Sequence, residues 1–394
     1  MDPARNPFAP GAGNPPPELA GRHEILRQAE IVIQRAMLNR HAKSFMLVGL
    51  RGVGKTVLLN RICQMAEAHG MRWHMIESPE EKPLPELLVP ALRRLLLSLD
   101  NIANVGDAVR RGLRVLASFA KSVKVKYEGV EVGVDVEKGV ADSGDLESDL
   151  ADLFVAIGEA AKARRTAAML VIDELQYVEE KALGALVMAI HKVSQRQLPV
   201  VLIAAGLPQL VGNMGRSKSY AERLFDFPEI GALAHADAVT AIADPITKEG
   251  ERIAKPAVEE IIAKTAGYPF FIQVWGYHCW NETTRSPIRL QDVQKAGPKV
   301  IQNLDESFFR VRFDRLKPSE KRYLRAMAEL GPGPHRSGEV SDVLSVKVQS
   351  VAPIRSSLIK KGMIYSPSHG DTAFTVPLFD EFLKRQMPTL TRSS

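Results

Sequence analysis

The chain has 394 residues, of which 45% are hydrophobic and 25% are charged, and it carries a net charge of +6. This length predicts two or three domains, and this composition excludes wholesale disorder, collagen-like repeats and a disulfide scaffold. The two distant cysteines, Cys63 and Cys279, indicate a reducing compartment and exclude a four-cysteine metal site.

Residues 1–20 form a Pro-rich arm that lacks the apolar segment of a secretory signal. No later apolar run approaches the roughly 20 residues that a membrane-spanning helix needs. We therefore expect a cytoplasmic protein without a membrane partner.

Helical and strand-like patterns alternate after this arm. Apolar residues at helical spacing predict helices over 21–38, from residue 55 onward, over 87–120 and over 146–164. Short apolar runs predict buried strands at 44–48, 73–76, 168–172 and 200–204. Strands that alternate with helices are typical of a parallel sheet covered on both faces. From about residue 238 to 299 the pattern is helical.

Residues 122–136 have a period of two, which predicts a β-hairpin with its turn at Glu128-Gly129. Valines fall on one face of this hairpin, and Lys126 faces Glu131 on the other. Lys124 and Lys126 offer contacts to DNA, but nearby acidic residues cancel their charge. An oligomer contact or a simple extension of the sheet explains the hairpin equally well.

Residues 49–56 read GLRGVGKT and match G-x-x-x-x-G-K-[ST], directly after a predicted strand and at the start of a helix. The glycines let the backbone wrap around phosphates, and amides at a helix N-terminus donate to them. Lys55 would neutralise phosphate charge, and Thr56 would offer its hydroxyl to Mg²⁺. The candidate nucleotide-binding residues of this motif are Gly49, Gly52, Val53, Gly54, Lys55, Thr56 and Val57.

A second motif, MLVIDE at residues 169–174, ends an apolar strand with two acids. Asp173 would orient Mg²⁺, and Glu174 would polarise an attacking water, so the pair indicates hydrolysis. Any buried strand can end in surface acids, but the phosphate-loop motif upstream favours a nucleotide site. The guanine-reading Asn-Lys-x-Asp is absent, which makes ATP the expected nucleotide.

With these motifs the chain resembles the AAA+ ATPases, and more narrowly the bacterial relatives of the origin-recognition initiators, which border the signal-transduction ATPases. Further likeness lies in LAGR at 19–22, IDELQ at 172–176, SYAERLF at 219–225 and GYPFFIQ at 267–273. The resemblance implies an α/β fold with a P-loop parallel sheet, a helical lid and a C-terminal winged helix-turn-helix. The implied boundaries are 21–237 for the core, 238–305 for the lid and 306–394 for the winged helix.

The resemblance also implies roles for three residues. Arg22 would approach the adenine and ribose, although an exposed arginine at a helix start is the alternative. Arg223 matches an arginine finger that reaches a neighbouring subunit's γ-phosphate, although a salt bridge with Asp226 or Glu222 is the alternative. Pro269 would touch the nucleotide from the lid, or else it only begins a helix.

Two positions depart from the AAA+ pattern. Residues 204–207 lack the Asn of the first sensor, and Gln209 is the nearest polar substitute. Phe270 and Phe271 stand where initiators carry a sensing Arg. We therefore expect slow or switch-like hydrolysis.

The C-terminal segment carries the excess charge. Residues 306–394 hold 15 basic and 9 acidic side chains, which accounts for the whole net charge of +6. Three helices, at 319–328, 340–344 and 350–361, and two strands, at 363–365 and 373–376, predict a winged helix-turn-helix. The candidate DNA-binding residues are Lys347, Gln349, Ser350 and Arg355 near the third helix and Ser368 and His369 on the wing. The lysines and arginine would bind phosphates, whereas Gln349 and Arg355 are placed to read base edges.

These features together predict an ATP-hydrolysing switch that forms a homo-oligomer on ATP and Mg²⁺ and binds double-stranded DNA. Winged helices also bind proteins, so a signal-transduction ATPase with a protein partner is the first alternative. A nucleotide-gated transcription regulator is the second.

Overall fold

The computed structural model describes residues 1–11, 13–100, 106–125, 136–368 and 370–390. Its chain divides into two compact units. The sheet unit consists of Glu24–Val48 and Lys55–Glu229. The lid unit consists of Met1–His23, Gly49–Gly54 and Ile230–Ser394.

The sheet unit contains a five-stranded sheet in which every strand pair is parallel, as the sequence predicts. Its order is β2-β3-β4-β1-β5. The strands are β1 (Ser44–Val48), β2 (Arg72–Glu77), β3 (Ala168–Asp173), β4 (Val200–Gly206) and β5 (Phe225–Asp226). All residues of β1, β3 and β4 are buried, which explains their uninterrupted apolar sequences.

Eight helices surround or extend this sheet among the described residues. They are α1 (His23–Met37), α2 (Lys55–Ala68), α3 (Leu84–Ser98), α4 (Asp107–Ser122), α5 (Leu146–Ala163), α6 (Glu180–Gln195), α7 (Gln209–Ser217) and α8 (Ala221–Leu224). One apolar cluster joins the buried sides of α3 to α6 with β3 and β4, and it includes Leu92, Phe119, Phe154, Leu186 and Leu202.

The predicted hairpin does not begin where the sequence places it. Helix α4 continues to Ser122, and the Val125 amide donates to the Ala120 carbonyl in the turn that closes this helix. Residues 122–125 are therefore not a strand, because the closing turn of α4 uses their backbone. The rest of the predicted hairpin, residues 126–135, lies outside the described residues.

The lid unit begins with four helices, α9 (His235–Lys248), α10 (Lys255–Thr265), α11 (Pro269–Glu282) and α12 (Leu290–Asn303). The Pro-rich arm packs on α11: Phe8 is buried against Gly276, and the Trp280 indole donates to the Asp2 carbonyl at 2.7 Å. A π-helical turn, Leu304–Phe309, and α13 (Arg310–Phe313) follow α12.

The last part of the lid unit combines helices with a three-stranded antiparallel sheet of order β6-β8-β7. The helices are α14 (Pro318–Leu330), α15 (Ser337–Leu344), α16 (Val348–Lys360) and α17 (Phe379–Gln386). The strands are β6 (His335–Arg336), β7 (Ile364–Tyr365) and β8 (Asp371–Phe374). The sequence predicts α14, α15, α16, β7 and β8. It does not predict β6, which is too short to show an alternating pattern, or α17, which lies after the predicted hairpin. None of the described helices combines the length and apolarity needed to cross a membrane.

A buried carboxylate fixes the chain between α4 and α5. Asp149 is fully buried and accepts four hydrogen bonds, from the Ser122 hydroxyl, the Ser143 amide and hydroxyl, and the Gly144 amide. Burial opposes ionisation of Asp149, but these hydrogen bonds outweigh it and hold the pKa of Asp149 below its ordinary value.

Replacing Asp149 by Ala removes the buried acceptor of four part-buried hydrogen bonds, so we expect the free energy of unfolding at pH 7 to fall by about 1–3 kcal/mol. Asp152→Ala is the matched control on the same helix, because its pair with Lys192 is half-exposed and worth at most about 1 kcal/mol. Urea unfolding measures both. The difference in the free energy of unfolding between wild type and Asp149→Ala should reach its full size above the unfolded-state pKa of Asp, about 3.9. It should disappear as the pH falls through the lower folded pKa.

Candidate nucleotide site

The loop of residues 49–54, called the phosphate loop below, is shaped by its glycines. Gly52 and Gly54 have φ values of +82° and +92°, which favour glycine. At Gly49 a Cβ would lie 2.2 Å from the Ile230 carbonyl oxygen, so a side chain is excluded there. At Gly54 a Cβ would meet nothing within 4 Å. The loop thus has the bare, open backbone that binding a phosphate requires.

Three successive residues of the phosphate loop are hydrogen-bonded to three different segments of the lid unit. The Arg51 amide donates to the Thr375 carbonyl at 3.2 Å, next to β8. The Gly52 carbonyl accepts from the Phe270 amide at 3.2 Å, in the first turn of α11. The Val53 carbonyl accepts from the Arg22 guanidinium at 3.3 Å. The loop conformation therefore depends on residues that are far away in sequence.

Arg22 is only 8% exposed, so the alternative of an exposed arginine at a helix start is wrong. Besides Val53, its guanidinium donates to the Gly231 carbonyl at 2.6 Å. Burial lowers the pKa of Arg22, and the nearby Asp237 carboxylate opposes this shift. The structure thus places Arg22 beneath the phosphate loop, where it supports the backbone.

In the sheet unit, the start of α2 meets the end of β3. The Thr56 hydroxyl donates to Asp173 Oδ2 at 2.5 Å, and the Glu174 amide donates to Oδ1 at 2.8 Å. Burial, followed by the Glu174 carboxylate, raises the pKa of Asp173, while the Thr56 hydrogen bond and the Lys55 charge oppose the rise. Lys55 is itself buried. The two acids and Thr56, which the sequence assigns to one site, are adjacent.

These side chains fit Mg²⁺. The ion prefers hard oxygen ligands and takes one or two from the protein, with waters and substrate phosphates completing the octahedron. Thr56 Oγ1 and Asp173 Oδ2 are two such oxygens in direct contact. A dedicated cage of three or more His, Cys, Asp or Glu side chains is absent from the described part of the chain. A phosphate-linked Mg²⁺ is therefore the ion that this donor set suits.

Glu174 leaves the strand in a left-handed backbone conformation with φ +53°, and a 3₁₀ turn, Leu175–Tyr177, follows. Such a conformation is uncommon outside glycine and occurs where the surrounding structure enforces it. The turn brings the Gln176 side-chain amide onto the Glu174 carboxylate, to which it donates. The oxygen of the same side chain accepts a hydrogen bond from the Leu207 amide at 3.1 Å, just after the end of β4.

Two residues next to the acidic pair are not among the predicted site residues, namely Gln176 and Glu77. In the sequence Gln176 stands out only as part of IDELQ, and Gln209 is the nearest polar substitute for the Asn that residues 204–207 lack. Gln176 occupies that place instead, whereas the buried Gln209 Oε1 has no hydrogen-bond partner among the described residues. Glu77 ends β2 in register with Asp173, and burial and the charges of Asp173 and Glu174 raise its pKa. Aligning the ends of the predicted strands would have revealed Glu77.

Arg223 lies exposed on α8. It forms no ion pair within the described residues. Asp226, one of the two alternative partners, instead binds Lys43 at 2.5 Å and Gln28 at 3.3 Å. The arginine is therefore available at the surface of the sheet unit.

Pro269 is the first residue of α11, after a turn that requires Gly267. Gly267 has φ +72°, and a Cβ there would lie 2.6 Å from the Leu233 carbonyl oxygen. Phe270 stacks on Phe308 with ring centroids 4.5 Å apart, and its backbone reaches the phosphate loop. The lid unit thus contacts this loop through a backbone amide.

The candidate DNA-binding residues divide into two groups. Lys347, Gln349 and Ser350 are exposed at the N-terminal end of α16. Arg355 instead donates to the Thr372 hydroxyl, the Ser366 hydroxyl and the Asp371 carbonyl at 2.8–3.0 Å. These bonds fix Arg355 to the β7–β8 hairpin, so it stabilises the fold in place of the predicted contact with a base edge. His369 lies outside the described residues.

Comparisons with known proteins agree with this geometry. Residues 18–203 match the family model of the AAA ATPase domain, which spans the phosphate loop, Asp173 and Glu174. Residues 306–383 match the model of a domain of unknown function, DUF8462. Among curated proteins, none matches the chain.

Matches among solved structures cover nearly the whole chain. The Walker-type ATPase PABY2304 of Pyrococcus abyssi is 15% identical, with 93% of this chain and 96% of that one covered at a TM-score of 0.56. ORC1 of Aeropyrum pernix, in complex with DNA, is 16% identical, with 98% and 96% covered at a TM-score of 0.46. RuvB of Thermotoga maritima is 14% identical, with 95% and 97% covered at a TM-score of 0.47.

The match over residues 18–203 supports an AAA ATPase domain in this part of the chain. At 15% identity, the likeness to PABY2304 shows a common fold. The match to the AAA ATPase domain supports ATP binding and ATPase activity in general.

Proposed function

We propose that this protein binds ATP with Mg²⁺, hydrolyses it in an assembly of identical subunits and binds double-stranded DNA. One observation carries the hydrolytic part. The contact between Thr56 and Asp173 lies directly beside Glu174, and α2, which contains Thr56, continues from an open phosphate loop. A nucleotide-binding protein without hydrolysis needs no carboxylate at the position of Glu174.

Each side chain then has a defined task. The loop amides donate to phosphate oxygens, and the Lys55 ammonium neutralises their charge. Thr56 and Asp173 would hold Mg²⁺, which supplies electrostatic stabilisation of the phosphate oxygens when bound. Glu174 orients the attacking water and accepts its proton. Arg22 and the Phe270 amide keep the loop backbone in place.

Lys55→Ala removes the buried ammonium, so we expect loss of ATP binding in isothermal titration. Glu174→Gln keeps every phosphate contact, so it should bind ATP as wild type does, lose hydrolysis and accumulate as an ATP-bound oligomer. Unchanged ATP affinity in Lys55→Ala would contradict the site assignment. Full hydrolysis in Glu174→Gln would contradict the role of Glu174.

The oligomeric part of the proposal rests on Arg223. A cationic side chain that is exposed and has no partner in the described residues suits contact with a second subunit's nucleotide. In families that use such an arginine, it stabilises the charge that develops on the transferred phosphoryl group. Hydrolysis then depends on assembly, which is how the site can act as a switch.

Arg223→Ala should retain ATP binding and lose hydrolysis by roughly a thousandfold. Glu222→Ala on the same helix is the matched control and should hydrolyse normally. Mixing Arg223→Ala with Glu174→Gln subunits supplies an intact Glu174 and an intact Arg223 at shared interfaces. Phosphate release should therefore return in the mixture, and its absence would exclude action between subunits.

The DNA-binding part rests on α16. The order helix, strand, two helices and two strands in residues 318–374 supports a winged helix in this part of the proposal. In such domains, residues near the start of the last helix meet base edges in the major groove. Lys347, Gln349 and Ser350 are the exposed residues at that start. Lys347 would contact a phosphate, and Gln349 is the remaining candidate for reading a base.

Duplex DNA binding, measured by fluorescence anisotropy between about 50 and 200 mM salt, should weaken steeply as salt rises. Lys347→Ala should weaken binding to all sequences alike and reduce the salt slope by about 1. Lys264→Ala, an exposed lysine on α10 paired with Glu260, is the matched control and should bind as wild type does. Absence of DNA affinity at the lowest salt would favour the protein-binding alternative.

A further inference from the structure

We infer that Gln176 is a positioning residue that holds the Glu174 carboxylate for the attack of water, in the place of the missing polar residue on β4. This inference rests on the proposed ATP hydrolysis. The Gln176 side chain bridges Glu174 and the Leu207 amide, and it is only 7% exposed.

The hydrogen-bond partners fix the orientation of this amide. The Leu207 backbone N–H is a donor, so the oxygen of the Gln176 side chain must face it. The NH₂ group then faces the Glu174 carboxylate, which accepts hydrogen bonds only. Rotating the amide by 180° would place two donors together at Leu207 and two acceptors together at Glu174. Glu174 is therefore bound by a donor whose direction the backbone of β4 sets.

The surrounding residues leave room for this arrangement. A Cβ on Gly206 would lie 2.9 Å from Gln176 Oε1 and 2.8 Å from Leu210 Cδ2, so a side chain there would displace the ends of these two side chains, whereas glycine leaves them in place. The left-handed backbone at Glu174 starts the turn that places Gln176 two residues later over the same carboxylate. A glycine within a strand and a left-handed glutamate are each unfavourable in most places. Here both serve the contact between Gln176 and Glu174.

A side chain held in this way loses most of its rotamers. A free glutamate after the end of β3 would sample several orientations, and few of them suit proton transfer from water. One hydrogen bond to a buried amide selects one orientation before ATP arrives, which is the preorganisation that catalysis rewards. Residues 204–207 offer no side-chain donor for this purpose, so the donor comes from Gln176, two residues after the base.

Two substitutions separate this role from a purely structural one. Gln176→Met removes both hydrogen bonds at nearly constant volume. Gln176→Glu keeps an acceptor for the Leu207 amide but turns the group that faces Glu174 from a donor into a like-charged acceptor. Both variants should bind ATP with wild-type affinity and lose kcat by roughly tenfold to a hundredfold, with KM little changed. Gln209→Met tests the other glutamine, and its loss of kcat should be at least tenfold smaller than that of Gln176→Met.

Steady-state phosphate release and titration of ATP on the full chain give these values. If Gln176→Glu hydrolyses ATP as wild type does, the bridge serves only the fold and the inference is wrong. A larger loss in Gln209→Met than in Gln176→Met would overturn it in favour of Gln209. Failure of the proposed function is a separate result, since wild type would then show no hydrolysis or Glu174→Gln would retain it. Thermal melting of each variant verifies that it is folded.

Discussion

The hydrogen bond from Thr56 to Asp173 is the contact around which the sheet unit is arranged. It requires the beginning of α2 and the end of β3 to meet at one edge of the sheet, and β4 separates β3 from β1. Parallel pairing throughout achieves this, because all the strands then end at the same edge. The strand-end residues Glu77, Asp173 and Gly206 consequently come close together. The chemistry of the site is a consequence of strand direction.

Concentrating carboxylates at this edge has an electrostatic effect. Asp173 is buried beside Glu174, and Glu77 adds a third acid, so the pKa values of Asp173 and Glu77 both rise. Lys55 and the hydroxyl of Thr56 counteract this at Asp173. A divalent cation placed there would relieve the repulsion further, so this cluster of carboxylates favours binding a metal together with a nucleotide.

The phosphate loop, the acidic pair and the parallel sheet could be predicted because short, local patterns encode them. Gln176 could not, since its contact depends on a left-handed residue and on the approach of β4. Arg22 and Arg355 show the same limit in a different way. The sequence places both cations at a ligand. In the structure Arg22 donates to two backbone carbonyls of its own unit, and Arg355 donates to one carbonyl and two hydroxyls. Charge counting likewise overstates the basic surface: Lys361 is bound to the buried Glu320, and Arg385 to Asp305.

The hydrogen bond between Arg51 and Thr375 bears on how the protein reaches its folded form. Thr375 is translated long after Arg51, so a nascent chain can complete β1, α2 and β3 while the phosphate loop still lacks this partner. Contacts between residues that are distant in sequence form slowly, because the chain must lose loop-closure entropy before the contact stabilises it. The phosphate loop therefore acquires its full set of hydrogen bonds only after the C-terminal segment has folded. During synthesis, the hydrogen bond of Arg51 to Thr375 can therefore form only once this segment is in place.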